Sequence, residues 1–193
     1  MSLIVVIDGP LGANKSRVAD IIGSTDGWHH TTLIPHSFEE DAMIARSKGR
    51  REMYMHFVDL VRSASRKLEK LRAVDRLYTV LDSYWPSVLA VHRWLGVEGA
   101  EMEDFGEILR EDVLVHLTVS HTTSLTRLRR RDHPSDLIIE DPNRYKDLQR
   151  AYDDVISQYA QGTVMKINSG AHISPEDIAD KILKTVLLEK LKR

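Results

Sequence analysis

The sequence predicts an α/β protein, a three-layer α/β/α arrangement with a mostly five-stranded parallel sheet between two layers of helices. Two observations carry that expectation. Short apolar runs without polar alternation recur along the chain, the pattern of strands buried on both faces. The stretches between them repeat apolar residues at helical spacing, so strands and helices alternate. With 193 residues, 42% of them apolar, there is chain enough for one sizeable core, and one domain over 1–193 is expected.

From the N-terminus, Leu3-Ile4-Val5-Val6-Ile7-Asp8 is a β-branched run that ends in Gly9-Pro10-Leu11-Gly12-Ala13-Asn14-Lys15-Ser16. Val18, Ala19, Ile21 and Ile22 then recur at helical spacing, giving strand, loop, helix. A weaker strand is expected at Thr31–Ile34, and further strands at Leu77–Leu81, Val113–Val119 and Thr163–Ile167. Helices are expected over about 50–72, 86–95, 122–131, 143–160 and 175–192. Trp85-Pro86 suits the opening of the second of these, with proline in the first turn. The last opens with Ser174-Pro175-Glu176-Asp177, a capping serine followed by acids at the positive end of the dipole, and closes with Lys190, Lys192 and Arg193 at the negative end. Residues 96–112 are acidic and contain glycine, which reads as a surface excursion, and 132–143 form a second irregular segment.

Composition removes several classes of function. Lys and Arg total 27 against 29 Asp and Glu, a formal charge of −2, which excludes a strongly basic polyanion binder. There is no cysteine, hence no disulfide scaffold, no cysteine-ligated metal and no thiol nucleophile, and a reducing cytoplasm is the expected compartment. Leu3–Ile7, the longest apolar run, is far short of the ~20 residues of a membrane span. The histidines show no i, i+4 or acid-clustered spacing of a transition-metal site.

The first loop carries the most chemistry. A phosphate-binding loop reads Gly, four residues, then Gly-Lys-Ser/Thr between a strand and a helix. Gly9, Lys15 and Ser16 match, and Asn14 stands where the second glycine belongs. Asparagine is the next most tolerant residue for a positive φ, and Gly12 lies two positions earlier. Backbone N–H groups from Gly9, Gly12, Ala13 and Asn14 into the first helical turn at Arg17 would cradle phosphate oxygens. Lys15 would bring charge to the β and γ phosphates, and the Ser16 hydroxyl would ligate Mg²⁺. The bland alternative is a plain strand-to-helix turn. No Gly-x-Gly-x-x-Gly spacing supports a dinucleotide site.

Further segments resemble the thymidylate kinase family of P-loop nucleoside monophosphate kinases. Asp82-Ser83-Tyr84-Trp85-Pro86-Ser87-Val88-Leu89-Ala90-Val91-His92 is similar to that family's Asp-Arg-Tyr/His-x-x-Ser-x-x-Ala-Tyr-Gln, matching at Asp82, Tyr84, Ser87 and Ala90. Leu125-Thr126-Arg127-Leu128-Arg129-Arg130-Arg131 resembles its arginine-bearing lid, here about 122–143, and Asp136, Glu140 and Leu148–Tyr152 resemble the family's segment after the lid. Ile167-Asn168-Ser169-Gly170-Ala171 resembles the loop that lies against adenine. The resemblance spans nearly the whole chain with its motifs in order. It implies a P-loop kinase fold, ATP with Mg²⁺, and a pyrimidine deoxynucleoside monophosphate as acceptor. It also implies adenine contacts at Ser169, Gly170 and Ala171, acceptor contacts at Phe57, Arg62, Tyr84 and Ser87, and the family's usual homodimer. Departures gather on the acceptor side: Ser83 replaces an arginine, Leu33-Ile34-Pro35 replaces Arg-Glu-Pro, and the partner position of Phe57 is Val61, with Arg62 beside it.

Phosphoryl transfer needs charge neutralisation and in-line positioning rather than covalent catalysis. Lys15, a metal held through Ser16, and the lid arginines would supply it. Arg127 and Arg131 share a helical face while Arg129 points away. Asp8 and Asp82 end predicted strands, on the edge where open α/β sheets bind ligands. Either would order Mg²⁺ through water, Asp82 being the preferred metal partner, or accept a proton from a hydroxyl, and either would equally serve as a cap. Phe57 and Tyr84 would stack on a base or lie in the core. ATP-dependent transfer to a nucleoside monophosphate is therefore the leading reading. A P-loop kinase acting on a hydroxyl of a nucleoside, or of a modified base in DNA, is the alternative and the one reading with a nucleic-acid partner. A nucleotide-binding protein without turnover, suggested by Asn14 and Ser83, is the third.

Overall fold

The computed structural model describes residues 3–35, 38–72, 78–97, 111–130, 141–170 and 172–191. Its strands are β1 (Leu3–Asp8), β2 (Trp28–Thr31), β3 (Tyr78–Asp82), β4 (Val113–Thr118) and β5 (Thr163–Asn168). Its helices are α1 (Lys15–Gly23), α2 (Phe38–Lys48), α3 (Arg50–Arg72), α4 (Trp85–Trp94), α5 (His121–Arg129), α6 (Pro142–Tyr159) and α7 (Pro175–Leu191). The strands form one five-stranded sheet in the order β2-β3-β1-β4-β5. All four pairings are parallel, with Ile7 opposite Asp82 and Val115.

The period of two along β1 divides the core. Leu3, Val5 and Ile7 pack with Val18, Ala19 and Ile22 of α1 and Ile178, Ile182 and Val186 of α7. Val6 points the other way, into a cluster with Phe57, Leu60 and Val61 of α3, Val88 and Leu89 of α4, and Tyr152, Val155 and Ile156 of α6. Both faces of the sheet are thus covered, which is why its central strands carry unbroken apolar runs. No helix among the described residues is long and apolar enough to cross a membrane.

Two expectations need correction. The second strand occupies Trp28–Thr31 rather than Thr31–Ile34. Leu33 and Ile34 are indeed buried, at 1 and 2% exposure, but they enter the α3/α4 core from a turn, whose Leu33 carbonyl accepts a 2.9 Å bond from Lys67 Nζ. Burial of two apolar side chains does not require a strand. Apolar periodicity marks no element at α2, though its bases at Arg46 and Lys48 in the last turn suit a helix dipole. The expectations for Arg131, Asp136, Glu140, Ala171, Lys192, Arg193, most of the acidic segment 96–112 and the lid over 131–140 lie outside the described residues. The helix expected from 143 begins at Pro142, with Asp141 as its cap accepting from Asn143 N–H.

Candidate active site

The loop between β1 and α1 is shaped by positive φ angles at Gly9 (147°), Gly12 (75°) and Asn14 (66°). Glycine is required at the first two by contact as well. A Cβ on Gly9 would stand 2.2 Å from the Leu117 carbonyl oxygen, and one on Gly12 would stand 2.5 Å from Ser124 Oγ. Asn14 is left-handed, with ψ of 26°, and immediately precedes α1. The departure from the phosphate-loop pattern therefore keeps the backbone conformation that a glycine would supply. Asn14→Ala is expected to lower stability by about 1 kcal/mol and Asn14→Gly by less, because only alanine pays the left-handed penalty in full. Denaturant midpoints of the two variants check this.

Every carbonyl from Gly9 to Gly12 has a donor. Lys15 Nζ bonds the Gly9 and Pro10 oxygens at 2.8 and 3.4 Å. Leu11 accepts from Ser124 Oγ at 2.7 Å and Tyr145 OH at 3.4 Å, and Gly12 from Arg127 Nη1 at 2.9 Å. Burial pushes the Tyr145 phenol up to about 12, so it stays a donor. Two of the N–H groups expected to face phosphate are engaged within the protein, Gly9 N–H with Asp8 Oδ1 at 2.8 Å and Ala13 N–H with the Pro10 carbonyl at 3.2 Å, which shifts the expected anion contacts toward the start of α1. The first turn of that helix suits them, since Asn14 makes no side-chain cap and no acid lies in that turn. Lys15 rests on neutral oxygens, and an anionic phosphate oxygen is the stronger acceptor. Ser16 is half-buried in the same turn. Arg17 directs its side chain away, to Glu176 of α7 at 3.5 Å.

Arg127 braces two loops. Besides the Gly12 carbonyl, it bonds the oxygens of Ser169 at 2.7 Å and Gly170 at 3.3 Å, beyond β5. Ser169 is itself tied back to the Thr118 carbonyl through its N–H, 2.7 Å, and its hydroxyl, 3.1 Å. The structure thus brings Arg127, the phosphate loop and the Ser169-Gly170 turn together. The side chains of Ser124 and Tyr145 complete this corner and were not among the residues expected there. Their contacts with the loop span 113 and 134 residues, so no local pattern marks them.

The two carboxylates at the sheet edge differ. Asp8 is fully buried. It accepts from Gly9 N–H at 2.8 Å, from the N–H groups of Tyr84 and Ser87 at 3.1 Å each, and from the Ser87 hydroxyl in a very short bond. Tyr84 and Ser87 open α4, whose second residue, Pro86, has no N–H to satisfy. Asp8 therefore caps α4 from the end of β1. Tyr152 OH donates to Ser87 Oγ at 3.0 Å and carries the network on to α6. Burial dominates the Asp8 carboxyl and pushes it up to about 6 against the opposing pull of Lys15, Ser87, Tyr84 and Gly9.

Asp82 is 1% exposed, and its Oδ2 has no hydrogen-bond partner among the described residues. Its Oδ1 accepts a long 3.4 Å bond from Ser83 Oγ. Ser83 follows with φ of 62°, an unusual angle for a non-glycine residue, and its N–H bonds the Ile7 carbonyl at 3.0 Å. An orphaned buried carboxylate oxygen beside a strained residue, one strand from the phosphate loop, is the kind of exception that functional sites carry.

The expected acceptor contacts fall elsewhere. Phe57 and Tyr84, at 0 and 2% exposure, belong to the α3/α4 core, and Phe57 meets His92 edge-on at 5.1 Å between centroids. Ser87 is occupied by Asp8 and Tyr152. Arg62 is exposed on α3.

No protein-family model matches this chain, and no curated protein sequence does. Solved structures do. A deoxyadenosine kinase from M. mycoides with bound dATP matches with TM-score 0.71 at 14% identity, covering 95% of this chain and 99% of that one. The same enzyme with products dCMP and a flexible dCDP matches at 0.70 and 15%, covering 95% and 98%. The YorR protein from Bacillus subtilis, in complex with phosphorylated GDP, matches at 0.59 and 18%, covering 97% of both chains. The fold is that of the P-loop kinases. In a P-loop kinase fold the loop after β1 and the ends of β1 and β3 share one edge, and here that edge holds Lys15, Asp8 and Asp82. The likeness extends to nucleoside kinases and is not particular to the thymidylate kinases that the sequence resembles.

Proposed function

We propose that this protein is a kinase that transfers the γ-phosphoryl group of ATP to a hydroxyl of a deoxynucleoside. The observation that carries the choice of acceptor is the buried Oδ2 of Asp82, which has no partner among the described residues and lies at the end of the strand beside β1 and its loop. A hydroxyl acceptor must lose a proton, and a buried carboxylate oxygen with no partner is placed to receive it. A phosphate acceptor is already ionised and needs no base, and at the position after Asp82 this chain has Ser83 rather than a charge-neutralising arginine. The deoxynucleoside kinase neighbours support the same acceptor class.

The donor side rests on the loop. Its N–H groups and the start of α1 hold the phosphate chain, and Lys15 neutralises charge at the transferring group. Arg127 keeps the loop and the Ser169-Gly170 turn in register. Oxygen donors of the kind magnesium prefers are present at Ser16 and, through water, at Asp82. Bound there, the ion would neutralise charge on the β and γ oxygens.

The second reading is a monophosphate acceptor, which the thymidylate kinase resemblance implies and the nucleotide-bound YorR neighbour favours. Labelled ATP offered in parallel to deoxynucleosides, deoxynucleoside monophosphates and a single-stranded oligonucleotide separates the readings. Label on deoxynucleosides is expected. Label confined to monophosphates moves the assignment to the second reading, and label on the polymer alone, or ATP binding without transfer, overturns both. Asp82→Asn is expected to cost about 10²–10⁴ in kcat, the usual worth of a positioned acid or base. Unchanged kcat would remove Asp82 from the chemistry.

A further inference from the structure

Away from the phosphate loop, a cavity of about 420 Å³ opens between α2, α4 and α6, within the size range of small-molecule sites. Its wall is unusual for a chain with formal charge −2. Four guanidinium groups converge on it, Arg46 from α2, Arg93 from α4, and Arg144 and Arg150 from α6, against the two carboxylates Asp147 and Asp154. Asp147 already pairs with Arg150 at 3.0 Å, and with both carboxylates counted against the four arginines the wall keeps a formal charge of +2, which an anionic ligand would balance.

Several of these groups are held in place. Arg144 Cζ lies 5.2 Å from the ring centroid of Trp94, a cation–π contact across the cavity wall. Arg93 donates to Gln158 Oε1 at 3.0 Å and to Tyr159 OH at 2.8 Å, with its Cζ 5.3 Å from that ring. Arg150 bonds Asp147 at 3.0 Å. Arg46 reaches the cavity from the last turn of α2. Guanidinium planes set by an aromatic ring, as at Arg93 and Arg144, are suited to gripping phosphate oxygens in pairs, and the Trp94 indole supplies an apolar wall.

We propose that this cleft is a second anion site, which takes the phosphate chain of a nucleoside triphosphate or an inorganic polyphosphate. It is separate from the candidate active site and does not depend on which acceptor that site uses. The two are linked by one helix: Arg144 in the cleft is followed by Tyr145, whose hydroxyl reaches the Leu11 carbonyl of the phosphate loop.

Calorimetric titration of the Lys15→Ala protein without magnesium tests the site with the donor grip weakened. Inorganic tripolyphosphate and dATP are the probes. One saturable binding event is expected for at least one probe, accompanied by a change in tryptophan fluorescence that is absent in Trp94→Phe. Adding Arg46→Ala and Arg144→Ala should raise Kd by at least about tenfold without shifting the melting temperature. Should that variant fail to fold, Arg150→Gln in the Lys15→Ala background is read by the same criterion. Equal affinity for the two probes assigns the phosphate chain alone, and a preference for dATP assigns the nucleotide; both uphold the site. Loss of all binding in Lys15→Ala, unchanged affinity after the arginine substitutions, or tighter binding of a single-stranded oligonucleotide than of either probe overturns it.

Discussion

Lys15→Ala is expected to lower kcat by about 10²–10³-fold or more, the loss seen when one preorganised donor to developing charge is removed. The fold should be little affected. Lys15 bonds only the Gly9 and Pro10 carbonyls at its ammonium end, and the Pro10 oxygen keeps a second donor in Ala13 N–H at 3.2 Å, so cutting the side chain back strips one buried carbonyl at most. A steady-state assay and a thermal melt, taken together, check the split. A variant that melts like the parent yet transfers phosphate at the parent rate would remove the ammonium from the reaction, and with it the reading of the loop as a triphosphate grip.

Asp8→Ala should act the other way, on stability first. The carboxylate satisfies three buried N–H groups and one hydroxyl at the junction of β1 and α4. Removing it strands those donors and leaves α4 uncapped, for an expected loss of about 3–5 kcal/mol. Its ionisation has a signature in pH. Burial lifts the folded-state value from 3.8 to about 6, so between these limits the folded protein holds the proton more tightly than the unfolded chain. The contribution of this group to stability is therefore largest below about pH 4, declines as pH rises toward 6, and is level above that. The melting-temperature advantage of the parent over Asp8→Asn should shrink from pH 4 to pH 7. A gap that widens with rising pH would mean that the four donors and Lys15 outweigh burial.

How much of this is legible in the chain depends on the range of the interaction concerned. β1 is plain because a strand buried on both faces writes its burial into consecutive β-branched residues. The Asn14 substitution is readable for a similar reason, since a left-handed φ is a property of one residue and asparagine tolerates it. The helix ends at Pro86 and Pro175 are marked by proline and nearby polar groups, which act within a turn. β2 is displaced from its expected place because Leu33 and Ile34 carry the apolar signal while Trp28–Thr31, on the sheet edge, is only half-buried. α2 escapes notice because its helical pattern is weak, with short-range charge as its main sign.

The candidate site is half legible. Lys15 and Ser16 announce themselves through their spacing from Gly9. The family resemblance marks Arg127 as a lid arginine, and the structure ties it to three backbone oxygens in two loops that lie 42 to 115 residues away in sequence. Asp8 and Asp82 look alike in the chain, each an acid ending a strand. One is saturated by the opening of α4 and the other keeps a bare oxygen, and nothing within a few residues of either distinguishes them.

By itself the sequence determined the alternation of strands and helices apart from α2 and the place of β2, the left-handed turn at Asn14, and the spacing of Lys15 and Ser16 from Gly9, because periodicity, backbone preference and motif spacing are local. Only the tertiary structure decided which carboxylate is spent on capping, which arginine is spent on bracing, and where four guanidinium groups from three helices converge. Those outcomes depend on which distant groups meet in the packed molecule, and a buried polar group takes its role from its partners.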